Sequence, residues 1–154
     1  MPVSLLYCRT DLAAALAVSE HLRQEGLTTQ LEVIDDPADD ACAIGTLIRH
    51  SLCDCTHLIT LVSNHTRSAW WVPFALGAAC AAGRRVATFQ LATRDRPRYL
   101  SAWPSMAQAL DLDLFIRAYR LEHTLGRLHS PTEGSSANVE RFHAELKASL
   151  GRGY

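Results

Sequence analysis

The chain has 154 residues, of which 48% are hydrophobic and 20% charged, and its formal net charge is −1. This size and composition are typical of one globular domain and exclude a disordered or fibrous protein. The nearly neutral charge, without a basic stripe, gives no argument for nucleic acid as a partner. No apolar run approaches the roughly 20 residues that a membrane-spanning helix needs, so no membrane partner is expected.

The first half of the chain alternates short apolar runs with segments of helical periodicity, each ended by glycine or by a polar loop. The predicted elements are, in order, a strand over 3–7, a helix over 12–22 with Gly26 as its stop, a strand over 28–34, a helix over 44–52, a strand over 58–62, a helix over 71–82 and a strand over 86–91. Strands that alternate with helices predict a parallel sheet with right-handed crossovers.

Regularity falls off after Leu91. We expect an irregular segment over 96–104 that crosses the carboxyl edge of the strands, then a helix over 112–121, for which a short strand is the alternative. A flexible loop over 130–138 and a last helix over about 138–150 complete the chain. The fold class expected is α/β: a flavodoxin-like, doubly wound parallel sheet of four to five strands flanked by helices. One domain spans 1–154, with its core over about 3–121.

The five cysteines predict a reducing compartment. They lie at positions 8, 42, 53, 55 and 80, and the pair at 53 and 55 has the wrong spacing for a zinc knuckle or a redox motif. None of the seven histidines pairs with a cysteine at ligand spacing, so no metal site is expected. We therefore expect reduced, mostly buried cysteines in a cytoplasmic protein, and a start at Met1-Pro2-Val3 that enters a strand rather than a targeting segment.

Three polar loops follow predicted strands and should meet at one edge of the sheet, where ligands of such folds bind. They span residues 8–11, 35–40 and 63–68. In the first loop Arg9 could pair with a phosphate, and in the second Asp36 could bind a ribose hydroxyl. The remaining candidate binding residues share small polar side chains; they are Cys8, Thr10, Asp11, Ser63, Asn64 and Ser68.

A modest cluster of arginines follows the third predicted helix, at positions 84, 85, 94, 96 and 98. We interpret them as solvated loop arginines, with phosphate binding as the alternative.

The third predicted helix opens with the segment Ser68-Ala69-Trp70-Trp71-Val72-Pro73-Phe74-Ala75-Leu76-Gly77. This segment resembles the Trp-x-x-x-Glu helix of Toll/interleukin-1 receptor (TIR) domains, whose Glu is the catalytic carboxylate of the NAD-cleaving members. Trp71 occupies the Trp position and Ala75 occupies the Glu position. The resemblance covers about residues 3–121, and Pro97-x-Tyr99-Leu100 is also similar to bacterial TIR proteins of antiphage defence systems such as Thoeris.

The resemblance implies an enzyme that cleaves NAD as a substrate, needs no cofactor and produces an ADP-ribose-derived signal for a downstream effector. It also implies that an aromatic ring at Trp71 packs near the base or the ribose, and that self-association uses the 35–40 loop. The alternative is that Trp70 and Trp71 are only core and interface aromatics. One carboxylate is enough for such chemistry, because nicotinamide leaves as a neutral molecule and the enzyme has only to stabilise an oxocarbenium-like ribose. A Glu one helical turn after Trp71 would lie near the same helix face as the indole.

Three interpretations of Ala75 stay open: an introduced Glu-to-Ala substitution, which an otherwise intact motif favours; a natural TIR protein without the acid; or a different alignment in which Ala75 is an ordinary core residue. In the first two, the chain as given is catalytically dead.

Two alternatives to an NAD-cleaving enzyme are kept. One is a non-catalytic TIR scaffold that acts through homotypic assembly. The other is a nucleoside deoxyribosyltransferase-like N-glycosidase, a family that resembles this chain in a Glu-Leu-Gly-x-Ala helix followed by a Gly-Arg/Lys-x-Val strand. Ser68-x-x-Trp71 and Pro97-x-Tyr99-Leu100 disfavour the second alternative.

Overall fold

The computed structural model describes residues 2–34, 40–91, 95–125 and 135–152. Within these ranges the helices and strands are β1 (Val3–Cys8), α1 (Leu12–Gln24), β2 (Thr29–Ile34), α2 (Ala41–Asp54), β3 (His57–Val62), α3 (Trp71–Ala81), β4 (Arg85–Gln90), β5 (Ser105–Met106), α4 (Ala109–Thr124) and α5 (Ser135–Gly151). Two short 3-10 turns, Arg9–Asp11 and Arg98–Ala102, precede α1 and β5.

The five strands form one parallel sheet in the order β2-β1-β3-β4-β5. This order confirms the predicted flavodoxin-like, doubly wound α/β fold. The chain reverses its direction of winding between β1 and β3, and in such sheets ligands bind beyond the carboxyl ends of the strands at that switch point.

Apolar side chains cover both faces of the sheet. Alternate residues of β1 point to opposite faces, so Leu5 joins α1, α4 and α5 in one core cluster while Leu6 joins α2 and α3 in the other. Phe115 and Phe142 are fully buried in the first cluster, and Trp71 is the largest side chain of the second. Helices on both faces explain why the central strand β3 is buried along its whole length.

The second half of the chain differs from the sequence prediction in three places. α4 is a helix, as preferred, but extends from Ala109 to Thr124; its start is fixed by a reciprocal capping box between Gln108 and Asp111. β5 was missed because it has two residues, too few for a periodic pattern. α5 begins at Ser135, so the end of the predicted 130–138 loop is helical. The rest of that loop, residues 126–134, lies outside the described ranges.

The prediction of mostly buried cysteines is wrong. Cys55 is buried, whereas Cys8 and Cys80 are half-buried and Cys42 and Cys53 are exposed. The two exposed thiols lie outside the buried stripe of α2, which consists of Ile44, Ile48, Ser51 and Leu52. All five thiols are free.

In the described part of the chain, no helix is both long enough and apolar enough to cross a bilayer.

Candidate functional site

The carboxyl ends of β1 and β3 bring two of the predicted site residues together. Asp11 lies in the 3-10 turn after β1, and Ser63 directly follows β3. The hydroxyl of Ser63 donates a hydrogen bond of 2.7 Å to Oδ2 of Asp11, and both side chains are buried. A buried carboxylate is stable only when it accepts such bonds, so this contact fixes one loop against the other.

The loop after β3 is ordered by its own polar groups. Thr66 accepts a 2.8 Å hydrogen bond from the backbone N–H of Ser63, and the hydroxyl of Ser63 accepts one of 3.2 Å from the N–H of His65. Thr66 is almost completely buried and was not among the predicted site residues. The signal that could have found it is the Ser-x-x-Thr spacing, since such side chains commonly close a turn onto the backbone.

The other predicted binding residues take different positions around this pair. Thr10 is exposed and donates to the sulfur of Cys8 at 3.4 Å, and Arg9 is exposed beside it. Asn64 and Ser68 are exposed on the loop that Ser63 begins. Asp36 lies outside the described residues, as do its neighbours from 35 to 39.

Trp71 and Ala75 belong to the core of this structure. Trp71 is 1% exposed and Ala75 is 0% exposed, and both pack in the cluster formed by α2, α3 and the sheet. In this arrangement the indole is a core side chain, and its predicted contact with a nucleotide stays a prediction. The exposed aromatic residues of this segment are instead Trp70 and Phe74, each 46% exposed, with ring centroids 5.7 Å apart.

The described residues leave little space next to Ser63. A cavity of about 10 Å³ lies between the ends of β3 and β4, lined among others by Ser63, Arg67 and Asp95. It has room for about one water molecule. Arg67 and Asp95, which both line it, approach to 3.8 Å. The segment from Asp95 to Pro97 lies at the carboxyl edge, as the sequence predicted. A nucleotide at this edge would therefore need contacts beyond this cavity.

The opposite edge of the sheet holds a buried ionic network that the sequence did not reveal. Glu122 on α4 accepts from Nε of Arg85 at 3.0 Å and lies 3.1 Å from Nε2 of His57. Thr56 lies 2.8 Å from Nδ1 of His57, so the ring can accept there and donate to Glu122 as a neutral imidazole. A lone histidine in an apolar strand and a glutamate one residue beyond the predicted helix gave no signal that they meet.

Burial sets the charge states in this network. Desolvation lowers the pKa of His57, and neighbouring Arg85 adds to that effect although Glu122 opposes it. Burial alone would raise the pKa of Glu122, but the hydrogen bond from His57 and the charge of Arg85 outweigh it and lower that pKa. The network is therefore an Arg85–Glu122 ion pair with a neutral His57 attached.

His143 attaches α5 to the same end of the sheet. Its Nε2 accepts a 2.8 Å hydrogen bond from the backbone N–H of Val86 in β4. Burial, with the nearby charges of Lys147 and Arg85, lowers the pKa of His143 to about 4. A neutral imidazole is required here, because protonated Nε2 could not accept.

The expectation of solvated loop arginines is wrong for Arg85 and confirmed for Arg96 and Arg98. Arg85 begins the inner strand β4 and is buried in its ion pair, and Arg84, directly before that strand, is half-buried. Arg96 is exposed and donates to the carbonyl of Leu100 at 3.1 Å, and Arg98 is exposed in the 3-10 turn. Arg94 lies outside the described residues.

Within the described ranges, no group of three or more His, Cys, Asp or Glu side chains is arranged to hold a metal ion.

Comparison with known proteins identifies no family for this chain. No family model matches the chain, and no curated protein matches it. One solved structure, a 2-deoxyribosyltransferase from the psychrotolerant bacterium Bacillus psychrosaccharolyticus, superimposes with a TM-score of 0.48 at 10% identity, covering 70% of this chain and 89% of that chain. A likeness this distant carries no argument about activity.

Proposed function

We propose that this chain is a TIR-like protein that binds NAD, or a nucleotide derived from ADP-ribose, at the carboxyl edge of its sheet. With Ala75 in place it binds the nucleotide without cleaving it. The observation that carries the proposal is the junction of Asp11 and Ser63 at the switch point between β1 and β3, with the Trp71 helix following directly in the chain.

Three features support a nucleotide at this edge. The switch point is where doubly wound sheets bind their ligands, and the start of a helix favours phosphate groups. The exposed side chains there, Arg9, Thr10 and Asn64, offer a cation and hydrogen-bonding groups of the kind that phosphates and sugar hydroxyls need. The buried Asp11–Ser63 contact fixes the two loops before a ligand arrives, which lowers the entropic cost of binding.

The absence of turnover is proposed on chemical grounds. Cleavage of NAD needs a carboxylate next to the ribose, and the family's position for it carries a methyl group that is packed in the core. Asp11 is the carboxylate fixed at this edge, and the Ser63 hydroxyl already occupies one of its oxygens.

NAD binding tests this proposal. Calorimetric titration of the purified chain should show saturable binding, and Arg9→Gln should weaken it by about tenfold, since a charge-assisted hydrogen bond to phosphate would be lost. Arg117→Gln, which removes another exposed arginine, on α4, is the control and should leave the affinity unchanged. Binding that is absent, or equally insensitive to both substitutions, would contradict the proposed site.

A second candidate function, a scaffold that works by self-association, is favoured by the exposed pair Trp70 and Phe74. Two aromatic rings in contact at 46% exposure each are an unusual feature for a surface without a partner. Sedimentation of the chain at increasing concentration should then show reversible association that Trp70→Ser removes. A monomer at every concentration would rule out this candidate and leave the NAD-binding proposal intact.

A further inference from the structure

A groove between α2 and α3 lies away from the strand-end site. It measures about 570 Å³. Its walls are the apolar side chains of Ile48, Leu52 and Phe74, and the small residues Gly45 and Ala78 keep it open. None of the residues that line it belongs to the proposed NAD site, so the groove is an independent feature of the molecule.

Two arginines give the groove positive charge. Arg49 on α2 and Arg84 just before β4 line it, and none of the described residues that line it carries a carboxylate. Nε of Arg84 is buried and has no hydrogen-bond partner within the described part of the chain. A buried donor that stays unpaired is costly. Because Arg84 lines the groove, an anionic group bound there would lie beside its guanidinium and offset part of that cost.

The size of the groove favours a small molecule over a protein segment. Ligand clefts measure about 300 to 1,000 Å³, which includes the groove. Three turns of an α-helix, about 16 Å long and about 10 Å across, would displace roughly twice the available volume. A single alkyl chain between Phe74 and Ile48 would meet apolar surface on both helices.

From these observations we propose that the groove between α2 and α3 binds an amphiphilic carboxylate, with its alkyl chain along Ile48 and Phe74 and its head group on Arg84. This site goes beyond the proposed nucleotide function and does not depend on it.

Calorimetric titration with decanoate tests the proposal. Decanoate should bind at least tenfold more tightly than decanol, because only the carboxylate forms charge-assisted hydrogen bonds to arginine. From hexanoate to decanoate, each added methylene should tighten binding by about fourfold while the chain still gains apolar contact. Equal affinity for decanoate and decanol, or no decanoate binding, would overturn the proposal.

Two substitutions and a control locate the ligand. Gly45→Leu should abolish binding by filling the groove; a Cβ at this position meets no atom within 4 Å, and leucine favours the helix, so the fold should be retained. Arg84→Gln should remove the preference for decanoate over decanol. Arg141→Gln removes an exposed arginine from α5 and should change neither affinity. Decanoate binding unaffected by both groove substitutions would overturn the assignment.

Thiol protection gives a readout that does not depend on affinity. Cys42 and Cys53 are exposed and line the groove, whereas Cys8 and Cys80 are elsewhere. Saturating decanoate should slow alkylation of Cys42 and Cys53 by iodoacetamide and leave Cys8 and Cys80 unchanged. Alkylation that slows equally at all four thiols, or at none, would contradict the proposed place of binding.

Discussion

At the scale of single residues, the contact between Asp11 and Ser63 determines how the strand-end site is held. Neither side chain is apolar, yet both are buried, because the hydroxyl of one supplies the hydrogen bond that the carboxylate of the other needs. The same hydroxyl accepts from the N–H of His65, so one side chain links two loops.

Replacement of Ser63 should therefore affect stability more than that of any exposed serine nearby. Ser63→Ala leaves the buried Asp11 without this bond and should lower the free energy of unfolding by about 1–3 kcal/mol. Ser68→Ala, in the same loop but exposed, should change it by less than about 0.5 kcal/mol. Urea denaturation compares the two, and equal small losses would show that the contact does not fix the loops.

At the scale of elements, polar contacts at the amino ends of the strands, here called the amino edge, attach α4 and α5 to the inner strands β3 and β4. Glu122 connects α4 to β3 and β4, and His143 connects α5 to the backbone of β4. Phe115, Tyr119 and Phe142 pack around the ring of His57, so the polar contacts lie within an apolar setting. Such buried networks favour one position of each helix, because a shifted helix would leave buried donors and acceptors without hydrogen-bond partners, which costs free energy.

This arrangement predicts acid sensitivity. The pKa of His143 is about 4 in the folded chain and about 6.5 when unfolded, so the unfolded state binds the proton first and stability falls as the pH drops from about 6.5 to 4. The lowered pKa of His57 acts in the same direction. When the pH falls from 7 to 5, the free energy of unfolding of His143→Gln should fall by about 1 kcal/mol less than that of the unmodified chain. This figure allows for solvent screening at a side chain that is only partly buried. Urea denaturation at both pH values measures the difference, and parallel losses would contradict it.

At the scale of the whole molecule, the two ends of the sheet have different chemistry. The carboxyl ends of the strands present exposed polar loops, whereas the amino ends contain a buried ionic network. Doubly wound folds permit this division, since the strands are rigid and only their carboxyl ends have to vary with function.

The division predicts that the amino edge can be altered without changing the ligand site. Glu122→Gln leaves the guanidinium of Arg85 buried opposite a neutral partner and should lower the free energy of unfolding by about 3–5 kcal/mol. NAD affinity of the molecules that remain folded should be unchanged. Glu140→Gln, an exposed substitution on α5, is the control for charge. A weaker affinity without a loss of stability would show that the two edges are coupled.

The sequence predicted the fold well because local patterns sufficed for it. Apolar runs, glycine stops and βα alternation located four of the strands and all the helices of the described ranges, and these elements leave few topologies to choose from. What it missed depends on contacts distant in the chain: His57 meets Glu122 across 65 positions, and no local pattern encodes such a pair. β5 is paired only through Ser105 and Met106, which is below the length at which alternation can be recognised.

The sequence predicted which loops meet at the candidate site but not which side chains there are buried. The loops at 8–11 and 63–68 meet as expected of parallel strands, through Asp11 and Ser63. Burial of Trp71 could not be read from the motif, because the segment from Ala69 to Leu76 is apolar on every side and its periodicity does not distinguish Trp70 from Trp71. Packing against the sheet makes that distinction.

The most direct measurement is nicotinamide release from NAD at high protein concentration, comparing the chain as given with Ala75→Glu and with Ala75→Gln as the uncharged control. Circular dichroism of each variant would establish that it is folded, since position 75 is fully buried. We predict no release from the chain as given or from the Gln variant, and release from the Glu variant, because only Glu supplies the carboxylate that stabilises the ribose. A folded Glu variant that releases no nicotinamide would contradict the assignment of position 75 as the catalytic position of an NAD-cleaving site.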